Sequence, residues 1–258
     1  IHYAKQRLKL FDSVMLGVIS SLLLFSESRI TFIVFLYVLL ISWGASKIII
    51  NLNAKGIHRR WMISGFIILL LIPLIFFKYA GFLASIFGYE YNFFDDYIIP
   101  VGISFYTFQL IGYVIDLNKI TGTVATFRDE YNFAGFFPQI VAGPIERKEK
   151  LLPQIKAFSF GLKREHVQAG LKMIIAGLFY KVVLGDHLAA VSGWCVNPTD
   201  NPYEVWIGSF YFGLRIYFDF AGYSMIAVGL GRIFGVHLTQ NFKSPYTALN
   251  IQQFWARW

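Results

Sequence analysis

The chain has 258 residues, of which 56% are hydrophobic and only 15% charged, and its mean hydropathy is +0.55. Soluble domains carry about 25% charged residues, so this composition excludes an ordinary globular domain and predicts an all-α, polytopic transmembrane helical bundle. The net charge of +8 does not argue for a nucleic-acid partner, because basic cytoplasmic loops account for it and no basic-aromatic module lies outside the apolar runs.

In chain order, the apolar stretches that predict membrane spans are residues 10–25, 30–50, 61–77, 97–117, 168–192 and 205–231. The chain opens at Ile1 instead of Met, which leads us to expect a trimmed N-terminus, and the first stretch lacks the cleavage site of a signal peptide. The connecting segments alternate in charge. Lys5, Arg7 and Lys9 precede the first span, and residues 47–60 carry Lys47, Lys55, Arg59 and Arg60 with no acid. Residues 146–172 carry seven bases against Glu146, Glu149 and Glu165, whereas residues 78–96 hold Glu90, Asp95 and Asp96 against Lys78, and 193–204 holds Asp200 and no base. The positive-inside rule then puts the N-terminus, 47–60 and 146–165 in the cytoplasm. No loop is long enough for a second domain, so we read residues 1–258 as one membrane domain.

Four segments carry the chemistry. In residues 98–117, Ser104, Tyr106, Thr107 and Gln109 interrupt a span; most suit close helix packing, and Gln109 is the candidate for contact with a substrate tunnel. In FFPQIVAGPIER, residues 136–147, Pro138, Gly143 and Pro144 break any helix and predict a re-entrant or interfacial hairpin over 131–145. Gln139 and Arg147 add donors there. Two readings stay open for this segment, a wall of a reaction chamber or a packing hairpin with Arg147 snorkelling to the cytoplasmic face.

In GLFYKVVLGDHLA, residues 177–189, Lys181 and Asp186 stand five apart, about 140° around an ideal α-helix, which predicts a snorkelling lysine and no direct pair. The run from Tyr217 to Trp258 is the most informative. A carboxylate at membrane depth costs about 2.5–3.5 kcal/mol on insertion scales and marks function, and Asp219 lies in such a span. Arg215, four residues earlier, shares its helix face and is the expected neutralising partner. Tyr217, Tyr223 and Ser224 supply hydroxyls, Asn241, Lys243, Pro245 and Tyr246 form a non-helical link, and Trp255, Arg257 and Trp258 close an aromatic-basic end.

No histidine pair has metal-ligand spacing, and His2, His58, His166, His187 and His237 are read as structural or solvated, with His237 favoured as a cation by a helix C-terminus. Cys195 is the single cysteine and lacks a basic neighbour, so neither a disulfide, a metal site nor a nucleophilic thiol is expected.

In order and rough spacing these four segments resemble the membrane-bound O-acyltransferases, in the branch of bacterial alginate O-acetyltransferases and teichoic-acid D-alanyl transfer proteins; residues 1–77 match only as apolar spans. The family motif reads Phe-Trp-x-Arg-Trp-His, with the histidine catalytic. Here Phe254-Trp255-Ala256-Arg257-Trp258 is present, so the resemblance places the histidine directly after Trp258, leaves no catalytic residue in the 258 and implies that they are inactive alone. Gln109, Pro138, Gln139, Gly143, Pro144, Arg147, Arg215, Tyr217, Asp219, Tyr223, Ser224, Asn241, Tyr246, Trp255, Arg257 and Trp258 are then expected to shape the tunnel and site. The resemblance further implies a bacterial inner-membrane enzyme that moves an acyl group, acetyl first, to hydroxyls of an extracytoplasmic polysaccharide or peptidoglycan. The donor would be acetyl-CoA or an acyl-carrier thioester, with no permanently bound cofactor or metal. A periplasmic or extracellular transferase, or an acyl-carrier protein, would be the partner. D-alanyl transfer toward teichoic acid is the second reading. A glycan or lipid transporter is the rival from another class: Asp219 and the broken helix fit a permeation path, but no inverted repeat is visible.

Overall fold

A computed structural model describes every residue except 1, 58–59, 89–97, 118–124, 142 and 197–200, and leaves aside the side chains of 2–8 and 194–196. Expectations resting on His58, Arg59, Glu90, Asp95, Asp96 and Asp200, or on the side chains of His2, Lys5, Arg7 and Cys195, fall outside the described residues. The described residues form helices and connections with no strand. They divide into two units, residues 1–141 with 145–159, and residues 142–144 with 160–258.

The first unit contains α1 (His2–Glu27), α2 (Arg29–Ala54), α3 (Arg60–Ile86), α4 (Ile103–Leu117), α5 (Phe127–Ala134) and α6 (Lys148–Lys156). A single non-helical residue, Ser28, joins α1 to α2, and its hydroxyl accepts from the Ile30 amide at 3.1 Å, an N-cap that starts the second helix at once. Pro73 sits inside α3 and cannot bond the Leu69 carbonyl; the Tyr37 hydroxyl from α2 donates to that oxygen at 3.4 Å. Phe35 of α2 packs edge-on against Tyr106 at 5.3 Å and Tyr131 at 5.4 Å, and Phe133 and Phe136 are fully buried beside them.

Among the described residues, four helical stretches are long and apolar enough to cross a bilayer: Lys9–Glu27, Arg29–Ala54, Arg60–Ile86 and Arg164–Gly193. Two of the expected spans differ. The stretch at 97–117 yields only the 15-residue α4, about 22 Å long against a hydrocarbon core of about 30 Å. Pro100 and Gly102, the latter at φ 72°, hold the chain out of the helix until Ile103. The last stretch, 205–231, lies in a helix of ample length, but Arg215, Asp219 and its tyrosines make it less apolar than the four.

Residues 131–145 also divide differently from the expected hairpin. Thr126 caps α5 through the Asp129 amide, and the helix runs on to Ala134 before turns begin at Gly135. The turns are held by amides. Gln109 donates to the Phe133 carbonyl at 2.8 Å, Gln139 donates to the side-chain Oε1 of Gln109 at 2.6 Å, and Asn132 donates to the Ser13 carbonyl at 2.8 Å. Glu130 is fully buried, and its carboxyl accepts from Ser42 at 2.6 Å. Lys148 lies 5.0 Å over the Tyr113 ring.

The second unit holds α7 (Arg164–Leu178), a π-helical turn (Phe179–Gly185), α8 (Asp186–Val196), α9 (Pro202–Ile233), a 3-10 turn (Pro245–Thr247) and α10 (Ile251–Arg257). α7 and α9 run antiparallel in glycine contact. A Cβ on Gly170 would lie 2.5 Å from the Gly229 carbonyl oxygen, and one on Gly177 2.7 Å from that of Gly222. Gly177→Leu should therefore push the helices apart and cost about 1–3 kcal/mol, read as a lower unfolding midpoint in detergent; an unchanged midpoint would contradict this packing. At the end of α9, Gly235 at φ 76° turns the chain, with the Val236 amide bonding the Gly231 carbonyl at 2.9 Å.

Candidate functional site

In the second unit, side chains of α7, the π turn, α9 and the following link enclose a cavity of about 180 Å³. Tyr180, Tyr217 and Phe242 supply aromatic walls, and Ser224, Gln240, Asn241 and Ser244 supply polar ones. The link stays non-helical as expected: Ser244 adopts a left-handed conformation at φ 50° and the 3-10 turn follows at Pro245. The Tyr246 hydroxyl donates to the Gly213 carbonyl at 3.0 Å, and Arg257 donates to Thr247 at 2.7 Å. These bonds fold α10 back on α9. Trp258 arrives 5.3 Å from the Phe242 ring and 6.0 Å from Tyr217, two residues that also wall the cavity.

A hollow of about 550 Å³ shares Met173, Val228 and Gln240 with the cavity, and Lys172, Arg232 and His237 line it. Arg232 hydrogen-bonds the His237 ring, 2.8 Å from its Nε2. Burial, then the Arg232 guanidinium and His166, holds that imidazole below its ordinary range. This corrects the expected cation at the end of α9: Arg232 carries the charge there, and its presence disfavours a second.

The charged side chains pair otherwise than the sequence spacing predicts. Asp219 meets Lys181 at 2.8 Å, not Arg215, which donates to Ser192 at 3.3 Å. Lys181 also reaches Asp186 at 2.5 Å. An ideal α-helix separates residues five apart; a π turn repeats every fifth residue and brings them to one face. The signal was present in the glycines. Gly170 and Gly177 are seven apart and Gly185 eight further on, the extra residue being the one the π turn absorbs. A Cβ on Gly185 would lie 2.8 Å from the Asp219 carboxylate, so this third glycine seats the pair.

Of the expected site residues, the structure brings Tyr217, Ser224 and Asn241 to the cavity wall, with Tyr246 and Trp258 in the aromatic cluster behind them. Asp219 lies two residues from Tyr217 and from Ala221, both of which line the wall. Tyr223 is exposed, its ring 5.4 Å from the Lys181 ammonium, and Trp255 is exposed too. Gln109, Pro138 and Gln139 are buried in the first unit, where the two amides bond each other. Gly143 and Pro144 are buried, and Arg147 is exposed, as a snorkelling side chain would be. Sequence reasoning missed Tyr180, Gln240 and Phe242 as wall residues. Among the described residues no cluster of three metal-ligating side chains occurs.

No family model matches the chain. Curated relatives do. A Pseudomonas putida protein named "Probable alginate O-acetylase AlgI" is 34% identical over 226 residues, which are 81% of this chain and 45% of the relative. A Helicobacter pylori "Peptidoglycan O-acetyltransferase" is 35% identical over 231 residues, covering 78% and 44%. A Bacillus subtilis "Teichoic acid D-alanyltransferase" is 29% identical over 165 residues, covering 61% and 41%. The chain thus spans less than half the length of each of these three relatives.

Proposed function

The chain belongs to the membrane-bound O-acyltransferase family, and we propose that the whole protein transfers an acetyl group from a cytoplasmic thioester to hydroxyls of an extracytoplasmic polysaccharide or peptidoglycan. The observation that carries this reading is the placement of Trp258. It packs on Tyr217 and Phe242, so the residue after it would begin beside the walls of the 180 Å³ cavity. The family resemblance puts a histidine there. An imidazole takes a hydroxyl proton near neutral pH, and the amides of Asn241 and Gln240 and the hydroxyl of Ser224 are the donors at hand for a developing oxyanion. Tyr217, Tyr246 and Trp258 shape the chamber, and Arg257 fixes the link through Thr247. Asp219 acts from behind the wall.

The donor in this proposal is acetyl-CoA or an acyl-carrier thioester entering from the cytoplasm, and a periplasmic or extracellular transferase or an acyl-carrier protein completes delivery. The protein sits in the bacterial inner membrane with its N-terminus inside, as its basic loops direct. The Bacillus subtilis relative keeps D-alanyl transfer toward teichoic acid as the second reading.

The test uses full-length protein in proteoliposomes, with labelled acetyl-CoA or labelled D-alanyl carrier on the cytoplasmic side. Acetyl label should appear on the glycan, and replacing the histidine after Trp258 by Ala should lower transfer by about 10²–10⁴-fold. Protein ending at Trp258 should transfer nothing. Label on the glycan from the carrier alone would select the D-alanyl reading, and undiminished transfer by the alanine variant would reject the histidine.

A further inference from the structure

Lys181 is read from sequence as a cation reaching for the membrane surface, and the structure gives it a different setting. Its ammonium lies between two carboxylates, 2.8 Å from Asp219 on α9 and 2.5 Å from Asp186 at the start of α8. The lysine side chain is 21% exposed and Asp219 29%, whereas Asp186 is 53% exposed. The inner pair therefore neutralises the costly charge at membrane depth, and Asp186 balances the outer side. The Tyr223 ring adds a cation–π face at 5.4 Å.

Two members of this clamp, Lys181 and Asp219, stand beside cavity-wall residues in sequence, and Asp186 does not. Lys181 directly follows Tyr180, and Asp219 lies between Tyr217 and Ala221; those three neighbours line the cavity. Tyr180 in turn packs edge-on against Phe218 at 5.4 Å and meets Tyr217 at 6.5 Å. A π turn inserts one residue and re-aims the side chains around it, and such turns concentrate at functional sites because they cost stability in an unneeded place. Here the turn brings Lys181 to Asp219 and Asp186 at once, a juxtaposition a regular α-helix would not give.

We infer that Lys181 is a positioning residue of the transfer chamber: clamped by Asp219 and Asp186, it locks the π turn that presents Tyr180 to the cavity and fixes the spacing of the Tyr180 and Tyr217 walls. The inference rests on the acyl-transfer reading for its kinetic readout. It does not rest on it for its structural one.

In full-length protein in nanodiscs, Lys181→Met and Asp219→Asn should each lower kcat by about 10–100-fold with the donor KM within about twofold, the cost of misplacing a wall. The double variant should be no worse than either single, because both remove one interaction. Lys181→Arg, able to span both carboxylates, should restore kcat to within about threefold, and Asp186→Asn, the exposed arm, should cost about threefold or less. The structural readout is the ¹⁹F resonance of 3-fluorotyrosine at position 180, which should shift in Asp219→Asn and hold in Asp186→Asn. Wild-type kcat in Lys181→Met, effects of the two variants that multiply, or a ¹⁹F resonance unmoved by Asp219→Asn would overturn the clamp. Should Lys181→Met fail to insert, Asp219→Asn and Lys181→Arg carry the same test. A wild-type protein that transfers no acyl group, yet shows the ¹⁹F shift, would reject the proposed activity and leave the clamp standing.

Discussion

Gly102→Val should unfold the first unit more readily than any other single substitution considered, by about 3–5 kcal/mol, read as a large fall in the thermal midpoint of the purified protein. Two independent penalties act there. The backbone stands at φ 72°, where a β-branched residue is strained, and a Cβ would lie 2.2 Å from the Ile140 carbonyl oxygen. That oxygen belongs to peptide backbone, so it cannot swing aside as a side chain would. Gly102→Ala should incur most of the same loss, since the first carbon already makes the clash. An alanine variant as stable as the wild type would show that the turn at 135–141 does not press on the start of α4.

Stability of the first unit should also fall as pH rises from 5 to 8, and Glu130→Gln should abolish that dependence. Burial pushes the Glu130 carboxyl from 4.5 up to about 7, with Ser42, Tyr113, Lys148 and Ser46 pulling the other way. Burial likewise lowers the Lys148 ammonium, against the pull of Glu149 and Glu130. A carboxyl whose folded value is raised binds its proton more tightly in the native state. Its contribution is whole below 4.5, declines by about 1.4 kcal/mol per pH unit above that, and is gone once pH has passed through about 7. The groups facing it are Ser42 and Ser46 on α2, Tyr113 on α4 and Lys148 on α6; Asp116 and Lys156 act on Lys148, and Asp129 acts on Tyr113. Glutamine mimics the protonated acid, so its midpoint should stay level across the range. A parallel decline in both proteins would assign the effect elsewhere.

Helix content, the first three spans and the break after α5 were legible because each follows from chain-local physics: long apolar runs, and Pro and Gly where a helix must stop. The family was legible through short motifs such as Pro138-Gln139 and Phe254-Trp255, taken in their order along the chain. The pairing of charges was not. Arg215 and Asp219 share a face of a regular helix, but the π turn after α7 brings Lys181 closer, and that approach depends on glycine pairs, Gly177 with Gly222 and Gly170 with Gly229, that lie far apart in sequence. The 140° estimate for Lys181 and Asp186 assumed an α-helix throughout, and one inserted residue invalidated it. Gln109 and Gln139 were singled out as polar residues in apolar runs; sequence could not show that the two amides bond each other. Tyr180 and Phe242 escaped notice because an aromatic residue in an apolar run carries no mark of facing a cavity.

The bond from Tyr37 to the Leu69 carbonyl ties the proline site of α3 to the order in which the helices are made. A proline entering lipid alone leaves a bare carbonyl, which hydrocarbon penalises. The phenol that relieves it belongs to the preceding helix, so it has already left the ribosome when Pro73 reaches the bilayer. The second segment thus carries a partner that the third can use on entry, and a Phe at position 37 would leave that carbonyl without it.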